Sequence, residues 1–92
     1  MEALQTARDL VNLRKALGFS QSQMAAGIGL GMRAYQEIEA GRSELRQSHA
    51  MACELLSLRA ALGAANIALA LPNIRRDALD FAALVRGEAA DL

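Results

Sequence analysis

The chain has 92 residues, which allows a single domain and excludes a multidomain architecture. Apolar residues make up 53% and charged residues 22%, which excludes a disordered chain. Ala and Leu supply 35 residues against 7 for Val, Ile and Thr, which favours helix and excludes a large β-sheet. Ten basic and ten acidic residues cancel, so no strong field surrounds the molecule and any hold on nucleic acid or membrane must come from local placement of charge.

In chain order, residues 3–17 are predicted as an amphipathic helix, with Leu4, Ala7, Leu10, Val11, Leu13 and Leu17 on one broad apolar stripe. Gly18 is placed to end it. Ser20 stands three residues before Gln23, the pattern of a capping box that opens a second helix over 21–28. Gly29 to Gly31 supply a corner, and a third short helix is predicted over 32–40, ended by Gly41. Residues 42–47 are a polar connection. A fourth helix is predicted over 48–62, with Met51, Leu55, Leu58 and Leu62 taken as its core face and Gly63 at its end. Residues 64–72 are Ala-rich and stopped by Pro72. A fifth helix over 73–86 carries Ile74, Ala78, Phe81 and Val85 at steps of four, three and four, and a short frayed tail follows Gly87. That stripe covers the domain's own core or pairs with a second copy.

The window from Ser20 to Arg42 meets the demands of a helix-turn-helix. Met24 followed by Ala25 gives an apolar and then a small residue, so that two helices can cross closely. Gly29 accepts a positive φ without steric cost. Ile28 and Leu30 flank the corner and reach inward. Tyr35 and Ile38, three apart, turn one stripe of the third helix to the core, which leaves Met32, Arg33, Gln36 and Glu37 facing out. The Tyr35 hydroxyl needs a partner or the surface.

These elements resemble the phage repressor and Cro class of helix-turn-helix, the XRE family. The resemblance is carried by Leu13-Arg14, Gly18-Phe19-Ser20-Gln21, Met24-Ala25, Gly29 and Ile38-Glu39-Ala40-Gly41, and covers residues 8–62. It implies an all-α, compact five-helix bundle, with residues 1–63 as the DNA-binding unit and 64–92 as a C-terminal helical extension. It also implies base reading by Met32, Arg33, Gln36 and Glu37, with Arg33 suited to guanine and Gln36 to adenine. Phosphate contacts are implied for Gln21, Gly31, Arg42, Ser43 and Arg46, and a structural ion pair for Arg14 with Glu39. Gly31 stands where the family often has Ser or Thr, and Gly27 replaces a helix former.

The implied partner is double-stranded DNA, bound by a homodimer whose interface uses Ile74, Ala78, Phe81 and Val85, the fourth helix, or both. A small autoregulatory repressor or controller-type switch on an inverted repeat fits the size, with RNA polymerase or a partner protein as further contacts. The alternative is an antitoxin or anti-activator whose main role is binding a protein. His49 is read as a surface residue, and Cys53 as a small core residue and not a redox sensor. One Cys and one His exclude an intrachain disulfide and make a metal site unexpected. No nucleophile–base pair or phosphate loop suggests an enzyme, and no cofactor is expected. Charges throughout the first 25 residues argue against a signal peptide. No apolar run is long enough to span a membrane, so the expected location is the cytoplasm.

Overall fold

A computed structural model describes residues 4–87. Helices α1 (Ala7–Leu17), α2 (Gln21–Gly27), α3 (Met32–Glu39), α4 (Gln47–Ala64) and α5 (Pro72–Arg86) follow one another, with one 3-10 turn at Ile67–Leu69. Among the described residues there is no strand. The fold is all-α, as expected. Residue 3, where the first helix was expected to begin, and the tail after Gly87 lie outside the described residues.

The start of α1 is set by side chains that the periodicity does not show. The Thr6 hydroxyl accepts from the Asp9 amide at 3.2 Å, and the Asp9 carboxylate accepts from the amides of Gln5 and Thr6 at 3.0 Å each. This capping box moves the helix start from residue 3 to Ala7. The Gln5 amide, helped by the Thr6 amide and hydroxyl, holds the Asp9 carboxyl below its ordinary range against the opposing effect of burial. Ser20 and Gln23 cap α2 reciprocally, as the sequence predicts.

The core is built from Leu10 and Leu13 of α1, Met24 and Ala25 of α2, Tyr35 and Ile38 of α3, Cys53 of α4, and Leu71. Ile28, Leu30, Leu56 and Ile74 pack around it, partly buried. The expected Met24–Ala25 crossing and the inward turn of Ile28 and Leu30 are therefore present. Gly27 lies against α4: a Cβ there would stand 2.9 Å from Leu56 Cδ2, the far end of a flexible side chain that would have to shift.

The structure corrects the reading of α4. Its buried face is Cys53, Ser57 and Ala61, not Met51, Leu55, Leu58 and Leu62. Met51 is 61% exposed, Leu55 44% and Leu62 73%. The helix is apolar on both sides, and periodicity cannot choose between two apolar stripes. The small stripe faces inward because small side chains bring α4 close to its neighbours. α4 also runs through Gly63 to Ala64, where Ala65 caps it at φ 51°.

Ser57 then brings the chain back. Its hydroxyl donates to the Glu54 carbonyl at 2.7 Å and accepts from the Leu71 amide at 3.0 Å. The Leu71 amide would otherwise be unsatisfied in a buried place. Pro72 opens α5 at a position where a missing N–H costs nothing. The predicted α5 stripe divides: Ile74 and Ala78 are half-buried, while Phe81 is 67% exposed and Val85 72%. None of the described α5 residues is fully buried.

Candidate nucleic-acid interface

The corner between α2 and α3 closes through backbone bonds. The Leu30 amide donates to the Ala25 carbonyl at 2.8 Å, and Gly29 adopts φ 77° between them. The result is a helix, α3, that buries Tyr35 and Ile38 and turns its other side outward.

A carboxylate fixes the position of that helix. Glu39 accepts from Arg14 Nε at 2.7 Å and from Arg14 Nη2 at 3.2 Å. It accepts from Gln21 Nε2 at 2.9 Å and from the Tyr35 hydroxyl. The expected Arg14–Glu39 pair is thus one arm of a larger hub that ties α1, α2 and α3 together. Burial raises the Glu39 carboxyl, but donation from Arg14, Tyr35 and Gln21 outweighs it and holds the group below its ordinary value. Burial and the Glu39 neighbour both push the Tyr35 phenol upward, so it remains a donor. The Tyr35 spacing to Glu39, i to i+4 on one helix, carries a signal in the sequence; the approach of Gln21 does not.

The structure leaves the four expected base-reading residues on the outer side of α3. Arg33 and Gln36 are exposed, Met32 is 40% exposed and Glu37 is half-buried. Arg33 takes part in no ion pair among the described residues. Gln36 Nε2 donates to Gln21 Oε1 at 3.3 Å. Gln21 therefore has both ends of its amide engaged, and it supports Gln36 from behind. Gly31 is the N-cap of α3 and offers no side-chain cap, which leaves the first amides of the helix open.

Arg42 and Glu37 make a fork that sequence reasoning missed. Arg42 Nε stands 2.7 Å from Glu37 Oε2, and Nη2 stands 3.2 Å from Oε1. Gly41, at φ 79°, turns the chain so that the amides of Arg42 and Ser43 both donate to the Glu37 carbonyl. The guanidinium holds the Glu37 carboxyl below its ordinary range. Ser43, Glu44, Arg46 and His49 come together with Leu30, Ala34 and Ile38 around a groove of about 270 Å³ beside α3. His49 is half-buried, and its Nδ1 accepts from the Arg46 amide at 3.1 Å, so it caps α4 and is not a bare surface residue. Burial pushes the Cys53 thiol up to about 12, which leaves it protonated at neutral pH.

No group of three His, Cys, Asp or Glu among the described residues could hold a metal. No helix of the described residues is long and apolar enough to cross a membrane.

A short helix locked from behind, with polar side chains turned out and cations beside it, defines the helix-turn-helix class. The helix-turn-helix family model matches residues 10–55, half of the chain, and the chain belongs to that family, in its XRE type. It is a DNA-binding regulator of transcription. No curated protein and no solved structure matches it.

Proposed function

We propose that the chain reads a specific double-stranded DNA sequence with α3, as a homodimer on an inverted repeat, and acts as an autoregulatory repressor or controller-type switch. The observation that carries this reading is the outer side of α3. Arg33 stands exposed and without an ion pair, next to Gln36, on a helix whose inner side is held by Tyr35, Ile38 and the Glu39 hub. Arg33 supplies two donors for guanine O6 and N7, and Gln36 a donor and an acceptor for adenine. Gln21 acts by holding Gln36, with its remaining hydrogen-bonding capacity for a phosphate. The open amides at Gly31, the Ser43 hydroxyl and the exposed Arg46 set register on the backbone. Arg42 joins them when it leaves Glu37.

Two recognition helices must enter successive major grooves roughly 34 Å apart, which is why the reading includes a second copy. The exposed apolar side chains of α4 and α5 also fit the alternative, an antitoxin or anti-activator that masks a protein partner. Selection of bound duplexes from a random pool separates the two, since a palindromic winner requires both specificity and a dimer. Arg33→Ala should cost about 1–3 kcal/mol of discrimination between the winning site and a scrambled duplex. Full discrimination in that variant would remove Arg33 from base reading. A dimer neutralising about six phosphates should also show a log–log salt slope near −5.

A further inference from the structure

Large apolar side chains stand exposed on the outer side of α4 (Met51, Leu55, Leu62), in the 3-10 turn (Ile67) and on α5 (Leu79, Phe81, Leu84, Val85). A groove of about 410 Å³ runs between the end of α4 and the first turns of α5. Leu58, Leu62, Ile67, Ala78 and Leu79 form its walls, and Arg75 is the one charged residue lining it.

We propose that this groove seats the last turns of α5 from a second copy of the chain, and that the exchange is mutual about a two-fold axis. The proposal rests on the homodimer reading above and gives that dimer its surface.

The chain carries both halves of the fit. Among the described residues no large apolar side chain fills the groove, and none covers Phe81, Leu84 or Val85. They cannot fill the groove of their own chain. Leu79 is part of its wall, and the same continuous helix runs on through Phe81 to Arg86. A straight helix cannot fold its end back beside its own beginning, so the occupant comes from another molecule.

The area agrees. At about 150–200 Å² for a fully exposed large side chain, the exposed fractions of the six residues of the groove wall and the plug (Leu62, Ile67, Leu79, Phe81, Leu84 and Val85) amount to roughly 650 Å². The largest apolar patch of an ordinary monomer is about 300–600 Å², and each partner of a standard interface contributes about 800 Å².

Charge agrees as well. Phe81 is flanked on α5 by Asp77, one turn earlier, and by Asp80, while the groove is lined by Arg75. Among the described residues none of these three takes part in an ion pair. A two-fold contact repeats each plug and each groove once, which leaves no half-used surface from which a filament could grow.

Sedimentation equilibrium of the full chain tests this. The wild type is expected to be a dimer. Ile67→Lys alters the groove and Phe81→Lys alters the plug; both positions are more than half exposed, so each variant should keep its circular dichroism spectrum. Each variant alone should weaken self-association by about tenfold or more. Mixed in equal amounts they should associate more than either variant alone, though less than the wild type, because one of the two plug–groove pairs is then unaltered on both sides while the other carries both lysines. A monomeric wild type, an Ile67→Lys chain that dimerises like the wild type, or a mixture that associates no more than either variant alone would each overturn the docking. Footprinting with the same preparations keeps the two readings apart. A wild-type dimer that protects no duplex defeats the DNA reading alone. Intact palindrome protection by Ile67→Lys, with unchanged dimerisation, defeats the docking alone.

Discussion

The α1–α3 region and the α4–α5 region stabilise themselves in opposite ways. In the first, a few directed bonds fix the geometry: four donor contacts from three residues meet on Glu39, and two of the three helices there, α1 and α2, carry reciprocal caps. In the second, one hydroxyl, that of Ser57, holds the returning chain, and large apolar side chains remain in water. The difference teaches which half is complete. On the proposed function, α3 has to keep its shape without its DNA, so its support is internal. On the proposed docking, the α4–α5 surface is finished only when a second copy arrives.

The sharpest way to break this contrast is at the hub. Glu39→Ala leaves the Arg14 guanidinium and the Tyr35 hydroxyl in a mostly buried place without their acceptor. Its cost should be about 3 kcal/mol in urea unfolding. The pH dependence has a definite sign. The Glu39 carboxyl is lowered by folding from its ordinary 4.5, so its contribution is present above that value and is lost as pH falls through the lower folded value. The stability of Glu39→Gln should fall less steeply than that of the wild type in this acid range.

A smaller effect is expected in the other half. Ser57→Ala leaves the buried Leu71 amide without a partner, which costs about 2 kcal/mol. Hydrogen exchange should accelerate across α5 before it does in α2 or α3; uniform acceleration would mean that the two regions are one cooperative unit.

The smallest effect has the opposite direction. Ala65 holds a left-handed conformation at φ 51°, where a Cβ is strained. Ala65→Gly relieves that strain but adds freedom to the unfolded chain, and the melting experiment should show a net gain of about 0.5 kcal/mol.

Much of the first region was legible because its determinants are local. Ser20 with Gln23 announces a cap, Met24-Ala25 announces a close crossing, and Gly29 announces a positive φ. Thr6 with Asp9 carried the same kind of signal, and it was hidden by the apolar stripe that continues back to Leu4. The Arg14–Glu39 pair came from the resemblance to the XRE family and not from spacing. The acceptor of the Tyr35 hydroxyl was readable in principle from its helical distance to Glu39. The engagement of Gln21 and the Arg42–Glu37 fork depend on how three helices and a glycine turn meet, which no short window contains. In α4 the local rule misled. Leu and Met are the usual core residues, yet close packing selected Cys53, Ser57 and Ala61, and the larger stripe was left outside.

The fork between Arg42 and Glu37 bears on how such a protein could tolerate its own neutrality. An exposed ion pair is worth little in water, so a phosphate offered at the right distance would draw the guanidinium away at small expense. The carboxylate left behind would then face the floor of the groove uncompensated. A cytosine amino group would satisfy it, and a row of base acceptors would repel it. Selectivity of that sort would be enforced by punishing wrong sequences, with no added attraction for the right one.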